Sequence, residues 1–206
     1  GYWINMLLVQ SGVTGTLFSL DIVLFYFFWE VMLLPVFLMI GSYGFGDKVF
    51  TTIKVTVYTM AGSLLMFVAI LYLGVAHFNQ FGEWSFAYDS LMQISTIPYD
   101  TKVWLFLAFL AAFAIKIPIF PLHTWIMETY KNAPTGAVFL LSSIMAKLGV
   151  YAIVRFMIPI FPDIYVEFST WFVAIGLFGL IYFGIAALMQ DDIKRMFAYS
   201  SASHLS

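Results

Sequence analysis

The chain reads as an all-α, polytopic integral membrane protein, a bundle of about six transmembrane helices with one of them broken. Three observations predict this. The 206 residues are 63% hydrophobic and only 10% charged, with mean hydropathy +0.96, whereas soluble domains run near 45–50% apolar and about 25% charged. A chain of this size cannot bury so much apolar surface in one aqueous core. Apolar runs recur at the length of about 20 residues that a helix needs to cross the hydrocarbon of a bilayer. Finally, three ionisable residues, Glu30, Lys116 and Lys147, sit inside those runs rather than between them.

The segments are justified in order. Trp3–Leu20 is diluted by Gln10, Ser11, Gly12 and Gly15, small or polar residues of the kind that let a neighbouring helix approach closely. Asp21 leaves almost no loop before Ile22–Ser42, so these two segments form a tight hairpin. Val55–Phe78 is the third. The fourth, Val103–Leu122, carries Lys116, Pro118 and Pro121 within the stretch AIKIPIFPLHTW. Proline inside a helix removes a hydrogen bond and clashes with the preceding turn. In lipid the freed carbonyls are tolerated only where they are buried in protein or face a cavity. Because Ile119 to Ile126 continues largely apolar, a broken, pathway-lining helix is expected rather than one that stops at Pro118. A charged residue beside such a break is how many transporters build an ion site. Ala133–Pro159 and Phe168–Met189 complete the set.

Loop charge predicts the orientation. If all six segments cross, one side receives Lys48, Lys54, Lys131, Lys194 and Arg195, and the other Lys102 and Arg155. The richer side is expected to be the cytoplasm or its organellar equivalent. The loop Tyr43–Thr52 is then inside. The longest loop, Asn79–Lys102, is outside, with Trp84, Tyr88 and Tyr99 as interfacial anchors.

Glu30 stands alone in the apolar run IVLFYFFWEVMLLPVFLMI. A carboxylate at the bilayer centre costs roughly 2.5 to 3.5 kcal/mol on insertion scales. Such a group needs a partner or a task. Lys116 lies too far from Lys102 to be a simple snorkelling residue, and Lys147 has apolar residues on both flanks. One buried acid and two buried bases point to a pathway for protons or ions. His123 follows the broken helix and is a further candidate relay. His77 sits at a segment end, where an interfacial role suffices. No facing histidine pairs for haem, no phosphate-binding loop and no metal-ligand spacing occur. The absence of cysteine excludes Cys-ligated clusters and thiol chemistry, and with no basic stripe nucleic acid is not an expected partner. The first residue is Gly and no basic n-region precedes the first run, so no signal peptide is visible. Both ends read as cut from a longer chain.

FFWEVMLLPVFLMIG (27–41), AFAIKIPIFPLHTW (112–125), APTGA (133–137), LSSIMAKLGVYAIVRF (141–156) and DDIKRMFAYSSASHLS (191–206) together resemble the subunit-4, or M-type, family of antiporter-like membrane subunits of proton-pumping NADH:quinone oxidoreductase, respiratory complex I. The resemblance covers essentially the whole chain. It implies a fragment of a chain about twice as long or more, of about 14 helices with two inverted repeats of five. Residues from 1 to about 159 would form the first repeat, and about 160 to 206 would open the second, within a single membrane domain. It also implies that Glu30 pairs with Lys116, that Lys147 is the next relay group, and that Pro118 and Pro121 mark the helix break. One departure matters. Where the family reads His-Thr-Trp-Leu-Pro-Asp-Ala-His, this chain reads His-Thr-Trp-Ile-Met-Glu-Thr-Tyr (123–130). Tyr130 takes the place of the second histidine, so a relay role does not carry over there, whereas Glu128 keeps the charge of the aspartate.

The implied activity is proton translocation as part of an NADH:quinone reductase. The chain itself would bind no cofactor; NADH, FMN, iron–sulfur clusters and quinone would lie in partner subunits. Its partners would be other membrane subunits of complex I, including neighbouring antiporter-like ones, and the lipid bilayer, in a bacterial inner membrane or alternatively an organellar inner membrane. Two other readings stay open: a subunit of a multi-subunit sodium/proton antiporter or membrane-bound hydrogenase, and a structural membrane scaffold whose buried charges have no transport role.

Overall fold

The computed structural model describes residues 1–206. Helices account for the architecture; the one extended contact is an isolated antiparallel bridge between Asp21 and Ala87. In chain order the helices are α1 (Tyr2–Phe18), α2 (Ile22–Val31), α3 (Leu33–Tyr43), α4 (Lys48–Phe81), the short α5 (Tyr88–Leu91), α6 (Tyr99–Lys116), α7 (Thr124–Asn132), α8 (Thr135–Leu140), α9 (Ala146–Ala152), α10 (Ile158–Ile160), α11 (Pro162–Leu188) and α12 (Ile193–Leu205). Two π-helical turns, Leu141–Met145 and Ile153–Met157, join α8 to α9 and α9 to α10.

All six expected segments are helical, but their limits differ from those read off the sequence. Hydropathy finds the part of a helix that sits in hydrocarbon, whereas capping groups set its ends. Hence α4 begins at Lys48, not Val55, because the Asp47 carboxylate accepts from the Phe50 amide at 3.2 Å. It runs 34 residues to Phe81, where Gly82 takes the left-handed conformation at φ +79° that ends many helices. At 1.5 Å per residue that is about 51 Å, well beyond the ~30 Å hydrocarbon core. The second segment keeps helical backbone from Ile22 to Tyr43, with its hydrogen-bond ladder loosened for one residue between α2 and α3 at Met32, itself in the right-handed helical conformation. Pro35 has no N–H for the carbonyl four residues earlier.

Four continuous stretches are long and apolar enough by themselves to span a membrane: Ile22–Tyr43, Lys48–Phe81, Thr135–Ile160 and Pro162–Leu188. The remaining two segments are α1, of 17 residues, and α6, of 18 residues. α6 stops at Lys116, before the expected end at Leu122, and the chain resumes as α7.

The hairpin of α1 and α2 forms as expected. Asp21 caps α2, accepting from the amides of Val23 and Leu24 at 2.9 and 3.0 Å. A Cβ on Gly12 would meet the Met32 side chain and one on Gly15 would meet the Phe28 ring, so the small residues of α1 do permit close approach. α6 packs along α4, and α12 folds back between α11 and α7. The core between them is aromatic. Phe25, Phe106, Phe109, Phe113, Phe156 and Phe161 are all fully buried. Large apolar side chains such as Leu64, Val68, Trp104, Trp171 and Leu188 face outward, as a bilayer requires.

The loops assort as the charge argument predicts. On one side the Phe45 amide donates to the Asn132 carbonyl at 2.7 Å, Lys194 Nζ donates to the Ala133 carbonyl at 3.1 Å, and Arg195 pairs with Glu128 at 2.9 Å. On the other, Arg155 lies 4.5 Å from the Tyr88 ring centroid and the Tyr99 hydroxyl donates to Glu167. Asp192, in the turn before α12, accepts from the Arg195 amide, and that hydrogen bond holds its carboxyl below the usual carboxylate range. His77, buried at the far end of α4, pairs through Nδ1 with the Glu83 carbonyl at 2.9 Å, a satisfied interfacial histidine.

Candidate ion-translocation site

The site is assembled where the end of α2 meets the end of α6, Trp29 lying against Phe113 and Lys116. Glu30 is the penultimate residue of α2, which ends at Val31. Lys116 is the last residue of α6. Beyond it the Ile117 amide still reaches Phe113 at 2.8 Å, but the Ile119 amide turns to Ala114 at 2.9 Å and bypasses the Ile115 carbonyl. That carbonyl accepts instead from the Trp125 indole N–H at 3.0 Å. Trp125, on the resumed helix α7, therefore satisfies the backbone group opened beside Lys116. Tyr58 of α4 and Thr124, the first residue of α7, are joined hydroxyl to hydroxyl at 2.9 Å and fix where the chain resumes. The proline-marked break at Pro118 and Pro121 is thus a braced element.

Lys116 is 4% exposed, and its Nζ has no hydrogen-bond partner. It lies 4.9 Å from the Trp29 ring centroid. A cavity of about 10 Å³ adjoins it, lined in part by Thr59, Trp125, Leu141 and Ala146; this is about the room one water molecule needs. Glu30 is half-buried, with Oε1 shielded and unpartnered. It borders a groove of about 280 Å³ with Leu33, Leu34, Phe37, Thr56 and Met60. Lys116 is near enough to act on it electrostatically. No ion pair joins Glu30 to Lys116; the single ion pair in the chain is Arg195–Glu128. The two groups are brought into one neighbourhood, in an unpaired arrangement.

Lys147 is placed differently. Ala146 lines the Lys116 cavity, but Lys147, the next residue round the helix, is exposed and donates to the Ser142 carbonyl at 2.8 Å. It lies on α9 between the two π-helical turns and adjoins the Lys116 cavity through Ala146 without lining it. Near Ser142 a cavity of about 460 Å³ opens, lined among others by Tyr130, Lys194, Ser200, Ser201 and His204. The Tyr130 hydroxyl is buried there without a partner. His123 is buried in the break, with its ring 5.6 Å from Phe120 and 4.8 Å from Phe183 and its Nδ1 unpartnered. It is packed among aromatic rings and bonded to neither buried charge.

Sequence reasoning passed over Trp29 and Trp125. The adjacency of Trp29 to Glu30 was visible, but only the fold shows that its ring faces a lysine 87 positions further on. The π-helical turns left no readable signal.

A polytopic helix bundle that holds a half-buried acid and a buried base inside its apolar segments defines an integral membrane protein of the antiporter-like class. A family model described as NADH:quinone oxidoreductase/Mrp antiporter, TM, matches residues 19–206, and the chain belongs to that family. It is 35% identical over 99% of its length to NADH-quinone oxidoreductase subunit M of Escherichia coli (strain K12), covering 41% of that protein. It is 34% identical over 99% of its length to NAD(P)H-quinone oxidoreductase chain 4, chloroplastic, of Physcomitrium patens, covering 40%. Among solved structures, a chain of respiratory complex I from Thermus thermophilus with bound NADH superposes with TM-score 0.90 at 29% identity, over 99% of this chain and 43% of that one. A chain of an archaeal membrane-bound sulfane sulfur reductase superposes with TM-score 0.85 at 25% identity, over 99% of this chain and 34% of that one. The chain thus spans about two fifths of the length of the curated relatives it matches.

Proposed function

We propose that the chain carries part of the proton pathway of an M-type subunit of a proton-pumping NADH:quinone oxidoreductase, with Glu30 and Lys116 as its switching pair and Lys147 as the next relay. The observation that carries this is the unpaired placement of buried Lys116, at the break after α6, in one neighbourhood with half-buried Glu30. Residues 1 to about 159 form the first inverted repeat, and the remainder opens the second. NADH oxidation and quinone reduction take place in partner subunits, which hold the NADH and quinone sites, FMN and the iron–sulfur clusters. This subunit moves charge in an energy-converting inner membrane, bacterial in the first instance, beside other antiporter-like subunits. The basic loops face the cytoplasm.

The mechanism follows from electrostatics. In a low-dielectric site a nearby carboxylate strengthens an amine's hold on its proton, and moving the carboxylate away weakens it. Opening and closing the contact between Glu30 and Lys116 therefore alternates Lys116 between holding a proton and releasing it towards Lys147. A change of about three pKa units in one amine is worth about 4 kcal/mol. Moving one charge across 100 mV costs about 2.3 kcal/mol. One ion pair made and broken is thus sufficient to move one proton against a typical gradient. Lys147 donates to the Ser142 carbonyl, and Ser142 lines the cavity shared with Tyr130, Ser201 and His204, which supports an exit from Lys147 towards the basic side; His123 serves in the break as a further relay.

A second reading, supported by a family that spans Mrp antiporters and by the likeness to the archaeal reductase, is a subunit of a sodium/proton antiporter or of another membrane-bound redox complex of the hydrogenase type. The test is NADH-driven proton uptake by inside-out membrane vesicles carrying Lys116→Ala in the full-length chain, with assembly checked on a native gel. The expected result is loss of uptake by this subunit in an intact complex. Normal uptake would remove Lys116 from the pathway. Sodium-driven exchange without electron transfer would select the antiporter reading.

A further inference from the structure

Resting on that reading, we infer that Trp29 is a positioning residue of the switch: its indole face holds the Lys116 ammonium whenever the lysine is not paired with Glu30. The structure presents this state. Lys116 Nζ is buried, makes no hydrogen bond and no ion pair, and lies 4.9 Å from the Trp29 ring centroid, within the distance of about 6 Å at which a ring attracts a cation. Tryptophan is the strongest side chain for such a contact, and desolvation strengthens it.

The ring is itself fixed. Trp29 is 2% exposed and packed against Phe25 at 5.4 Å and Phe113 at 5.7 Å. Phe113 is one helical turn before Lys116 on α6, and Trp29 immediately precedes Glu30 on α2. One turn of α2 therefore presents two alternative partners for the same ammonium, a carboxylate and a π-face. This matters because an ammonium released from an ion pair inside a membrane would otherwise be left uncompensated, which is strongly unfavourable. The indole face lowers the cost of opening the pair without offering an atom that takes the proton. A hydroxyl or carboxylate in its place would capture or compete for it.

The test is to install mono-, di- and tetrafluorotryptophan at position 29 of the full-length chain by site-specific incorporation, with assembly checked on a native gel. Fluorination drains the negative face of the ring while leaving its shape nearly unchanged and its surface at least as apolar. A packing role is therefore indifferent to it. The expected result is NADH-driven proton uptake that falls stepwise with each substitution, by about tenfold between tryptophan and the tetrafluoro ring. Trp29→Tyr should retain more uptake than Trp29→Leu. Uptake that is unchanged or faster across the fluorinated series, with Lys116→Ala inactive in the same assay, would overturn the role of Trp29 and leave the proton pathway standing. Uptake that persists in Lys116→Ala would overturn the pathway itself, and with it the role of Trp29.

Discussion

Single residues set the chemistry, and each buried polar group predicts its own variant. Glu30→Gln keeps the shape but removes the charge that acts on Lys116, so proton uptake should be slowed severely while the complex still assembles. Uptake at the native rate would place Glu30 outside the switch. Trp125→Phe removes the indole N–H from the Ile115 carbonyl, leaving a buried acceptor unsatisfied at a cost of about 1–3 kcal/mol. Its thermal unfolding midpoint in detergent should fall, and an unchanged midpoint would mean that another donor reaches the carbonyl. Glu30, Lys116 and Lys147 were legible in the sequence because an ionisable residue in an apolar run stands out whatever the fold. Their mutual placement was not. The sequence put Lys147 in apolar surroundings comparable to those of Lys116; within residues 1–206 its side chain is exposed, and flanking hydropathy does not say which face of a helix a residue occupies.

Secondary-structure elements carry these groups through their irregularities. Pro118 and Pro121 announced the break in the fourth segment because two prolines within four positions cannot sit in one continuous ladder. Pro35 marks a milder irregularity in the second segment, which runs as one helical stretch from Ile22 to Tyr43 with its ladder loosened at Met32. The hairpin of α1 and α2 makes a simpler claim. Gly15→Leu places a side chain into the Phe28 ring and should cost about 1–3 kcal/mol, as overpacking does; wild-type stability would mean that α1 shifts freely. α12 was not foreseen as a helix at all. Its first residues are charged and its last are small and hydroxylic, so no hydropathy signal marks it, and tertiary packing on α7 and α11 supplies what propensity does not.

The whole molecule combines an apolar exterior with a few isolated ionisable groups inside its apolar segments. Composition alone excluded a soluble fold, and loop charge assorted the turns correctly, since the residues grouped as one side do meet through Lys194, Arg195, Glu128 and Asn132. The ion pair there is about one-third exposed on each partner. A double-mutant cycle on Arg195 and Glu128 should therefore give no more than about 1 kcal/mol, falling with added salt; a coupling of several kcal/mol would mark it as an interior pair. Neutralising Glu30, Lys116 and Lys147 together distinguishes a transport subunit from a scaffold. Unpaired buried charge is costly, so relief at Glu30 and Lys116 should outweigh the change at exposed Lys147: the triple variant should be at least as stable as the native chain and transport nothing. A triple variant that transports normally would support the scaffold reading.

The π-helical turns at Leu141–Met145 and Ile153–Met157 bear on how this helix is compared with its relatives. Each accommodates one residue more than an α-helical turn, and one residue is about 100° of rotation. Lys147 follows the first of them, so its direction is set by an interruption and not by counting in steps of 3.6 from Thr135. A relative with an unbroken α-helix over this stretch would need a one-residue gap to superpose. An ungapped alignment would match the letters and assign Lys147 to the wrong side of the bundle.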